Sequence, residues 1–337
     1  FVDPLKAALP RLKLQIADDL ASLRKYLPEA EILLCTNLPP EALEEQTPDR
    51  LRWIQLCSAG VDGVLPARDR IGNVVVTNVR GIHAELMADY ALAVMVMLQW
   101  DFPALLRDQA ERRWRRQPKS ALAGKTLSVI GPGSIGAEIG RRANEFGMKV
   151  LGVRRSGLDS HPGFLRMYPN ERLDEILPEC DFVCITAPET PETRHMFGEK
   201  QFRAMRRTAY LLNISRGGLV DEADLIAALQ EGLIAGAGLD VLEKEPPDPD
   251  NPLWAMPNVI ITPHISGMTE DYAERVASLF ADTLNATYRG SRFRTWWTSK
   301  EAIEAATSCI YATACGRRPE PIAGLFCQST EKMLRAM

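Results

Sequence analysis

The sequence predicts an α/β protein made of two doubly wound parallel-sheet domains. Short apolar runs alternate with helix and turn signals along most of the chain, which is the pattern of parallel strands joined by crossover helices. A glycine-rich turn separates one apolar run from a helical pattern near the middle of the chain. A length of 337 residues, 46% of them hydrophobic and 25% charged, suits a globular protein of about two domains.

The first domain is predicted to consist of residues 1–95 and 267–290. It opens on a helix-like segment, PLKAALPRL, and we expect a first strand to precede Phe1. Three apolar runs, EILLC, LRWIQL and NVVVTNV, predict parallel strands because each is short and bounded by turn or helix signals. The segment HAELMADYALAVM predicts the helix that leaves this domain, with His83 at its start.

The second domain is predicted over residues 96–266. Helical patterns separate apolar runs that predict a second parallel sheet, namely TLSVI, MKVLGV, DFVCITAP, AYLLNIS, AGAGLDV and NVIITPH. One long helix is expected near residues 88–117, and we interpret ERRWRRQPK at residues 111–119 as its solvated face. Together these elements predict a Rossmann domain inserted into a flavodoxin-like domain.

Composition argues against several classes of function. The net charge of −4 gives no bulk attraction to nucleic acid or to an anionic membrane, and the longest apolar run, residues 91–100, is too short to span a bilayer. Seven cysteines without CxxC spacing predict reduced thiols and a cytoplasmic protein, with Cys57 and Cys184 in the core. Because no cluster of potential ligands has metal-ligand spacing, no metal is predicted.

A dinucleotide-binding loop is predicted at residues 131–136. The hexapeptide Gly131-Pro132-Gly133-Ser134-Ile135-Gly136 fits the pattern G-x-G-x-x-G. The strand TLSVI enters this turn and the helix IGAEIGRRANEF leaves it, so the backbone can approach a pyrophosphate at a helix N-terminus. A glycine turn without a ligand is the alternative.

The end of the next strand predicts which dinucleotide binds. NAD-preferring folds usually carry an acidic residue there, which accepts hydrogen bonds from the adenosine ribose. Here the strand MKVLGV is followed by Arg154, Arg155 and Ser156, whose guanidinium and hydroxyl groups would neutralise a 2′-phosphate. NADP(H) is therefore the preferred cofactor, with NAD(H) second. In the alternative interpretation, one or both arginines point to solvent.

Three further stretches each follow a predicted strand of the second sheet. They are NISRGGLVDE, GLDVLEKEPP and TPHIS, which contain Arg216, Glu245 and His264 respectively. Doubly wound folds bind ligands at the carboxyl ends of their strands, so these side chains can converge. The trio offers a guanidinium for a carboxylate, a proton donor for a carbonyl oxygen and an anion beside that donor. The alternative is a structural ion pair with a histidine that ends a strand.

These motifs resemble the D-isomer-specific 2-hydroxyacid dehydrogenase family over residues 1–284. The resemblance rests on the glycine loop and on SAGVDG, APETPETR, NISRGG, DVLEKEP and PLWAMPNVIITPH. It implies hydride transfer between NADP(H) and a small 2-oxo or 2-hydroxy acid, as in glyoxylate/hydroxypyruvate reductases, by a homodimer. It also implies that Arg216 binds the substrate, that His264 is the acid/base, and that Glu245 raises the pKa of His264.

The same resemblance implies further contacts. Asp240 would lie beside the nicotinamide carboxamide, and the backbone amides of Ala59 and Gly60 would bind the substrate carboxylate. Arg80 is a candidate for substrate choice. The other residues that the resemblance assigns to cofactor binding are Ala187, Pro188, Thr193, Ile214, Ser215, Arg216, His264 and Gly267.

Two other functions are compatible with this fold. A corepressor-like protein would use it as a dinucleotide-sensing binding module, although the complete trio favours an enzyme. A formate dehydrogenase would replace the glutamate partner, because hydride leaves formate without help from a general acid. Glu245 therefore weighs against formate dehydrogenase.

The resemblance stops after Leu284. Family members usually close with a tail similar to RYLxGxPLxNVVDxxxGY, whereas this chain continues with NATYRGSRFRTWWTSKEAI. Because tryptophan has a single codon, the WWT at residues 296–298 requires TGG-TGG-ACN, and a shifted reading frame gives Val-Asp there. We hypothesise that residues 285–337 are an out-of-frame translation, the alternative being an unusual helical extension.

Overall fold

The computed structural model describes residues 1–43, 48–155, 160–288 and 323–327. The helices are α1 (Val2–Ala8), α2 (Leu20–Tyr26), α3 (Arg68–Ile71), α4 (Ala84–Gln99), α5 (Phe102–Ala110), α6 (Ser134–Glu145), α7 (Leu173–Ile176), α8 (Glu199–Ala204), α9 (Glu222–Gln230) and α10 (Tyr272–Tyr288). The strands are β1 (Lys13–Ala17), β2 (Ile32–Cys35), β3 (Trp53–Leu56), β4 (Val75–Thr77), β5 (Thr126–Ile130), β6 (Lys149–Val153), β7 (Arg166–Tyr168), β8 (Phe182–Ile185), β9 (Tyr210–Asn213), β10 (Gly236–Leu239), β11 (Val259–Ile261) and β12 (Ala323–Cys327). Short 3-10 turns cover Leu27–Glu29, Pro40–Ala42, Leu65–Ala67, Asn170–Arg172, Leu177–Glu179, Gly217–Leu219 and Pro252–Ala255.

The chain divides into two compact units. The first comprises Phe1–Ile82 and Thr269–Met337, and the second comprises His83–Met268. Each unit contains one sheet whose neighbouring strands are parallel, with helices between the strands. The predicted α/β class with two parallel-sheet domains is therefore confirmed.

The sheet of the first unit has the strand order β1-β12-β2-β3-β4. Both of its faces are covered, because alternate residues of β2 enter different apolar clusters. Leu33 belongs to one cluster, while Ile32 and Leu34 belong to the cluster that α10 completes. On that second face the ring of Phe280 stacks on the indole of Trp53, with 5.0 Å between the ring centroids.

Two strands of this sheet have no counterpart among the predicted ones. β1 has the sequence KLQIA and lies at the edge of the sheet, where half-exposed strands carry polar residues and lose the continuous apolar signal. β12 pairs with β1 and β2 and belongs to the segment that we hypothesise to be out of frame. Most of that segment lies outside the described residues, so the hypothesis stays a prediction.

The sheet of the second unit has the strand order β11-β10-β9-β8-β5-β6-β7. All six predicted strands are present, and the three-residue β7 is an addition at the edge. Alternate residues of β8 again enter two clusters, with Phe182 on one face and Val183 on the other. The chain runs from β5 through β6 and β7 and returns to β8 on the opposite side of β5, so the topological switch point lies between β5 and β8.

The single long helix predicted near residues 88–117 is wrong, because α4 and α5 are separate helices. Asp101 lies between them with a φ of 55°, and its side chain accepts a hydrogen bond from the N–H of Ala104. Such an N-cap, followed by a proline in the first turn, starts a new helix. The chain turns again after α5 at Arg112, where φ is 56°, so the basic segment is exposed as predicted but is not helical.

Two predicted core cysteines are buried. Cys57 and Cys184 are 2% and 0% exposed. Burial raises the pKa of Cys184 to about 12, so this thiol stays protonated at neutral pH.

None of the helices in the described part of the chain is long and apolar enough to cross a bilayer.

Candidate active site

The glycine loop connects β5 to α6 and requires two of its glycines for packing. Gly131 has a φ of 86°, and a Cβ at this position would lie 2.5 Å from the Cα of Ala187. A Cβ on Gly136 would lie 2.6 Å from Oγ1 of Thr186. The Thr186 hydroxyl also donates to the carbonyl of Gly131 over 2.7 Å. These contacts hold the ends of β5 and β8 together at the switch point.

The first turn of α6 has no side-chain cap. The N-cap of this helix is Gly133, and glycine has no side chain that could accept a hydrogen bond. The N–H groups of the first turn, which begins with Ser134 and Ile135, therefore have no side-chain acceptor at the N-cap. These N–H groups and the positive end of the helix dipole suit a phosphate. Because neither Gly131 nor Gly133 has a side chain, the loop leaves room for the pyrophosphate of a dinucleotide to approach the backbone closely.

The turns after β8 and β9 are joined by hydroxyl groups. The hydroxyl of Thr193 donates to the carbonyl of Pro188 over 2.7 Å and accepts from the N–H of Thr190 over 2.8 Å. The hydroxyl of Ser215 donates to the carbonyl of Ala187. Four of the predicted cofactor-binding residues, Ala187, Pro188, Thr193 and Ser215, are therefore hydrogen-bonded at the carboxyl ends of these strands, and direct contact with a cofactor stays a prediction.

Ile214 contributes to the core rather than to an open surface. It is 3% exposed, and its N–H donates to the carbonyl of Ile185 over 3.4 Å. Any contact of Ile214 with a cofactor would therefore go through its backbone.

Basic side chains follow β6, as predicted. The backbone N–H of Arg154 donates to the carbonyl of Tyr168 over 3.0 Å, which fixes the chain beyond the strand. Arg154 is partly buried and Arg155 is exposed, while Ser156 lies outside the described residues. Arg172 adds a third guanidinium to this region, 5.3 Å from the ring centroid of Tyr168. Arg172 is also paired with Glu175 over 2.7 Å. Whether the arginines after β6 select a 2′-phosphate stays a prediction.

Arg216 follows β9 in a turn that packs tightly against the chain after β10. A Cβ on Gly217 would lie 2.0 Å from the carbonyl oxygen of Leu242, so only glycine allows this approach. The side-chain amide of Asn213 donates to the carbonyl of Arg216 over 2.9 Å, and the guanidinium of Arg216 donates to the carbonyl of Ser215 over 2.7 Å. These contacts fix Arg216 at the carboxyl end of the sheet.

A buried carboxylate organises the turn that carries His264. The backbone N–H of His264 donates to the carbonyl of Asp240 over 2.8 Å, and His264 has a φ of 55°. The carboxylate of Asp240 accepts from the N–H groups of Ile265 and Ser266, each over 2.9 Å. Asp240 is 1% exposed. Its contacts offset the strain of a non-glycine residue in the left-handed region.

His264 and Glu245 form the pair that the sequence predicts. Nδ1 of His264 lies 2.7 Å from Oε2 of Glu245, and the N–H of Leu242 donates to Oε1 over 3.2 Å. The two side chains are 41% and 38% exposed. Because Nδ1 is bound to the carboxylate, Nε2 is the ring nitrogen that can meet a substrate oxygen. The structure thus brings these two side chains into contact, and their catalytic roles stay predictions.

The pKa of Glu245 lies below its usual range. Burial opposes ionisation of this carboxyl, but four effects outweigh it: the hydrogen bond from His264, the charge of His264, the N–H of Leu242 and the charge of Arg216. The charge of Arg216 therefore acts on the carboxylate that holds His264. His264 is hydrogen-bonded to Glu245, and the charge of Arg216 contributes the smallest of these effects on its pKa.

Replacing Glu245 by glutamine should remove a pH-dependent part of the stability. A carboxyl with a lowered pKa in the folded state stabilises the protein at pH values above its ordinary pKa. That contribution is lost as the pH falls through the lower, folded value. Urea unfolding should give a small difference in free energy of unfolding between wild type and Glu245→Gln near neutral pH, shrinking below about pH 4.5.

An exposed glutamate of the first unit, Glu274, provides the control. The change Glu274→Gln should produce no comparable trend between pH 7 and pH 3. A difference for Glu245→Gln that stays constant over this range would show that ionisation of Glu245 is not linked to folding.

In the first unit, Asn78 connects the predicted substrate-binding residues to one another. Its amide donates to the carbonyl of Ala59 over 2.7 Å, and its Oδ1 accepts from the N–H of Arg80 over 3.2 Å. The hydroxyl of Ser58 donates to the carbonyl of Gly60 over 2.8 Å. Asn78 is 3% exposed. The structure therefore brings the Ala59–Gly60 turn and Arg80 together, and their roles in substrate binding stay predictions.

The remaining histidines have structural or surface positions. His83 is the N-cap of α4, as predicted, and a Cβ on Gly267 would lie 3.3 Å from Cδ2 of His83. His195 is exposed and has Nε2 3.2 Å from Oε1 of Glu243. Among the residues that the structure describes, no three histidine, cysteine or acidic side chains are placed to hold a metal ion.

Comparisons with known proteins agree with this geometry. Residues 92–266 match the family described as D-isomer specific 2-hydroxyacid dehydrogenase, NAD binding domain. The glyoxylate reductase of Korarchaeum cryptofilum is 37% identical over 271 residues, which cover 78% of this chain and 80% of that protein.

Two solved structures are also similar. A D-isomer specific 2-hydroxyacid dehydrogenase family protein from Aeromonas salmonicida is 36% identical with a TM-score of 0.77, covering 88% of this chain and 95% of that one. A D-isomer specific 2-hydroxyacid dehydrogenase from Xanthobacter autotrophicus, solved in complex with NADPH and MES, is 29% identical with a TM-score of 0.79, covering 89% and 94%.

Proposed function

The chain belongs to the D-isomer specific 2-hydroxyacid dehydrogenase family, and we propose that it reduces small 2-oxo acids with NADPH, as glyoxylate/hydroxypyruvate reductases do. One observation carries the proposal. His264 is held by Glu245 over 2.7 Å at the carboxyl end of the sheet, and the charge of Arg216 acts on the same carboxylate. This is the arrangement that reduction of a ketone beside a carboxylate needs.

Each residue of the trio has a distinct task in the proposed reaction. The guanidinium of Arg216 binds the carboxylate and carbonyl oxygens of the substrate and stabilises the negative charge that develops on the carbonyl oxygen. His264 gives the proton from Nε2 to that oxygen, while Glu245 holds Nδ1 and balances the charge of the protonated ring. When bound, the nicotinamide supplies the hydride for the keto carbon.

Turnover tests this proposal directly. Oxidation of NADPH should be measured by its absorbance with glyoxylate, hydroxypyruvate, pyruvate and phenylpyruvate. Saturable oxidation with at least one of these acids is expected. Binding of NADPH without oxidation by any of them would overturn the proposal and favour a dinucleotide-sensing binding module.

The cofactor preference is part of the proposal and has its own test. Arg154→Asp places a carboxylate where it could accept hydrogen bonds from the adenosine ribose hydroxyls of NADH, and it removes a positive charge that would neutralise a 2′-phosphate. The ratio of kcat/KM for NADPH to that for NADH should fall by about tenfold or more, since a lost charged hydrogen bond costs roughly 1.5–3 kcal/mol.

A matched control separates this contact from a long-range charge effect. Arg166→Asp, on the neighbouring strand β7, changes the net charge by the same amount and should leave the ratio within about twofold. An unchanged ratio in Arg154→Asp would exclude Arg154 from cofactor selection.

We also propose that the chain forms a homodimer through the surface around α4 and α5. This surface exposes large apolar side chains, which single soluble domains rarely cluster. On these two helices and at their junction they are Trp100, Phe102 and Leu106, with exposures of 45%, 37% and 55%. Phe146, which is 49% exposed, lines one groove with Phe102 and residues of α4. Sedimentation velocity should show a species of twice 37.5 kDa, and a single species at 37.5 kDa would contradict the dimer.

A further inference from the structure

A line of side-chain hydrogen bonds runs from α4 to the turn that carries His264. The hydroxyl of Tyr90 lies 2.6 Å from Oγ1 of Thr262, and the hydroxyl of Thr262 donates to Oδ1 of Asp240 over 2.6 Å. The same Oδ1 accepts from the N–H of Ile265, directly after His264. All of these residues belong to the second unit. The line therefore connects a helix in the core to the position of the proposed proton donor.

The chemistry of the groups sets the direction of these bonds. A carboxylate can only accept, so the single hydroxyl hydrogen of Thr262 goes to Asp240. The oxygen of Thr262 then has only lone pairs to offer, and Tyr90 must be the donor to it. The order is therefore Tyr90 to Thr262 to Asp240. Hydrogen bonds aligned in this way strengthen one another in a poorly solvated environment.

Tyr90 remains a donor at every pH at which the enzyme would work. Burial raises its pKa to about 12, the hydrogen bond with Thr262 lowers it, and the charge of Asp240 raises it further. The phenol therefore stays protonated near neutral pH.

We infer that Tyr90 and Thr262 are positioning residues for the proposed reduction, because they fix the carboxylate of Asp240 and, through it, the turn that carries His264. This inference rests on the proposed function. Neither hydroxyl belongs to the trio, and both act through Asp240. The turn needs such support because His264 has a φ of 55°, a conformation that costs free energy for a residue other than glycine.

Amide hydrogen exchange tests the inference without any ligand. Mass spectrometry should follow the peptide that spans residues 262–268, which contains the N–H groups bound by Asp240. Tyr90→Phe removes one hydroxyl and should speed exchange of this peptide by about fivefold, the equivalent of roughly 1 kcal/mol. Thr262→Val should speed it further, and Thr262→Ser, which keeps the hydroxyl, should restore the wild-type rate.

Kinetics tests whether this positioning matters for the reaction. Tyr90→Phe should lower kcat by about threefold to tenfold and leave KM for the 2-oxo acid within about twofold, since a loosened donor affects the transition state more than binding. The double variant Tyr90→Phe/Thr262→Val should be no slower than Thr262→Val alone, because both hydroxyls act along one line. The matched control is Tyr210→Phe, a partly buried tyrosine that stacks on Phe182 in the same unit and should change neither measurement.

The outcomes distinguish this inference from the proposed function. Unchanged exchange, or faster exchange with an unchanged kcat, in Tyr90→Phe would overturn the positioning role. If wild type oxidises NADPH with none of the 2-oxo acids, the proposed function fails, while the exchange rates still decide whether the hydroxyls hold the turn.

Discussion

Replacing His264 by asparagine is expected to lower kcat for the best 2-oxo acid by about 10²–10⁴-fold, the usual contribution of a general acid. Asparagine keeps a polar side chain near Glu245 and tolerates a φ of 55°, so the fold should persist. Without the imidazole, no group on this turn can give a proton to the carbonyl oxygen as hydride arrives. The Kd of NADPH, measured by fluorescence titration, should change by less than about threefold, because the glycine loop binds the pyrophosphate.

His195 provides a matched control for this change. It also has a positive φ, 50°, and its Nε2 lies 3.2 Å from a glutamate oxygen, but it occupies a different turn. His195→Asn should leave kcat within about twofold. A His264→Asn enzyme as fast as wild type would remove His264 from the mechanism.

Arg216→Lys is expected to lower kcat/KM for the 2-oxo acid by about 10²–10³-fold, although it keeps the positive charge. A lysine ammonium cannot bind the carboxylate and the carbonyl with one planar fork, so substrate orientation and charge stabilisation are both lost. Steady-state kinetics with the best 2-oxo acid gives this ratio.

The control for this change is Arg194→Lys. Arg194 is 55% exposed and lies 2.8 Å from Glu189, so it represents an ordinary surface ion pair. Its replacement should leave kcat/KM within about twofold. Equal kinetics for Arg216→Lys and wild type would contradict a role that needs the planar guanidinium fork.

Buried parallel strands explain how much of the fold the sequence could predict. The strands β5, β6 and β8 to β10 are covered on both faces and therefore read as continuous apolar runs. The edge strand β11 is only partly buried but consists of Val259, Ile260 and Ile261, so it keeps the apolar signal. The short edge strands β1 and β7 carry Lys13 and Arg166 and lack that signal. Apolar periodicity continues across Asp101 and hides the break between α4 and α5, although Asp101 followed by Phe-Pro is an N-cap signal.

The trio could be predicted because each member follows a strand of one parallel sheet. The ends of β9, β10 and β11 are neighbours, so topology alone places Arg216, Glu245 and His264 near one another. The supporting hydroxyls could not be found in this way. Tyr90 and Thr262 are 172 residues apart, and neither lies in a pattern that names its partner.

Comparing single and double variants of the histidine–glutamate pair is the most direct test that Glu245 works through His264. The values of kcat for Glu245→Gln, His264→Asn and the double variant should be measured with saturating NADPH and the best 2-oxo acid. If the pair acts as a unit, the double variant should be about as slow as His264→Asn alone. Losses that multiply in the double variant would contradict this, since they would mean that Glu245 contributes to catalysis independently of the imidazole.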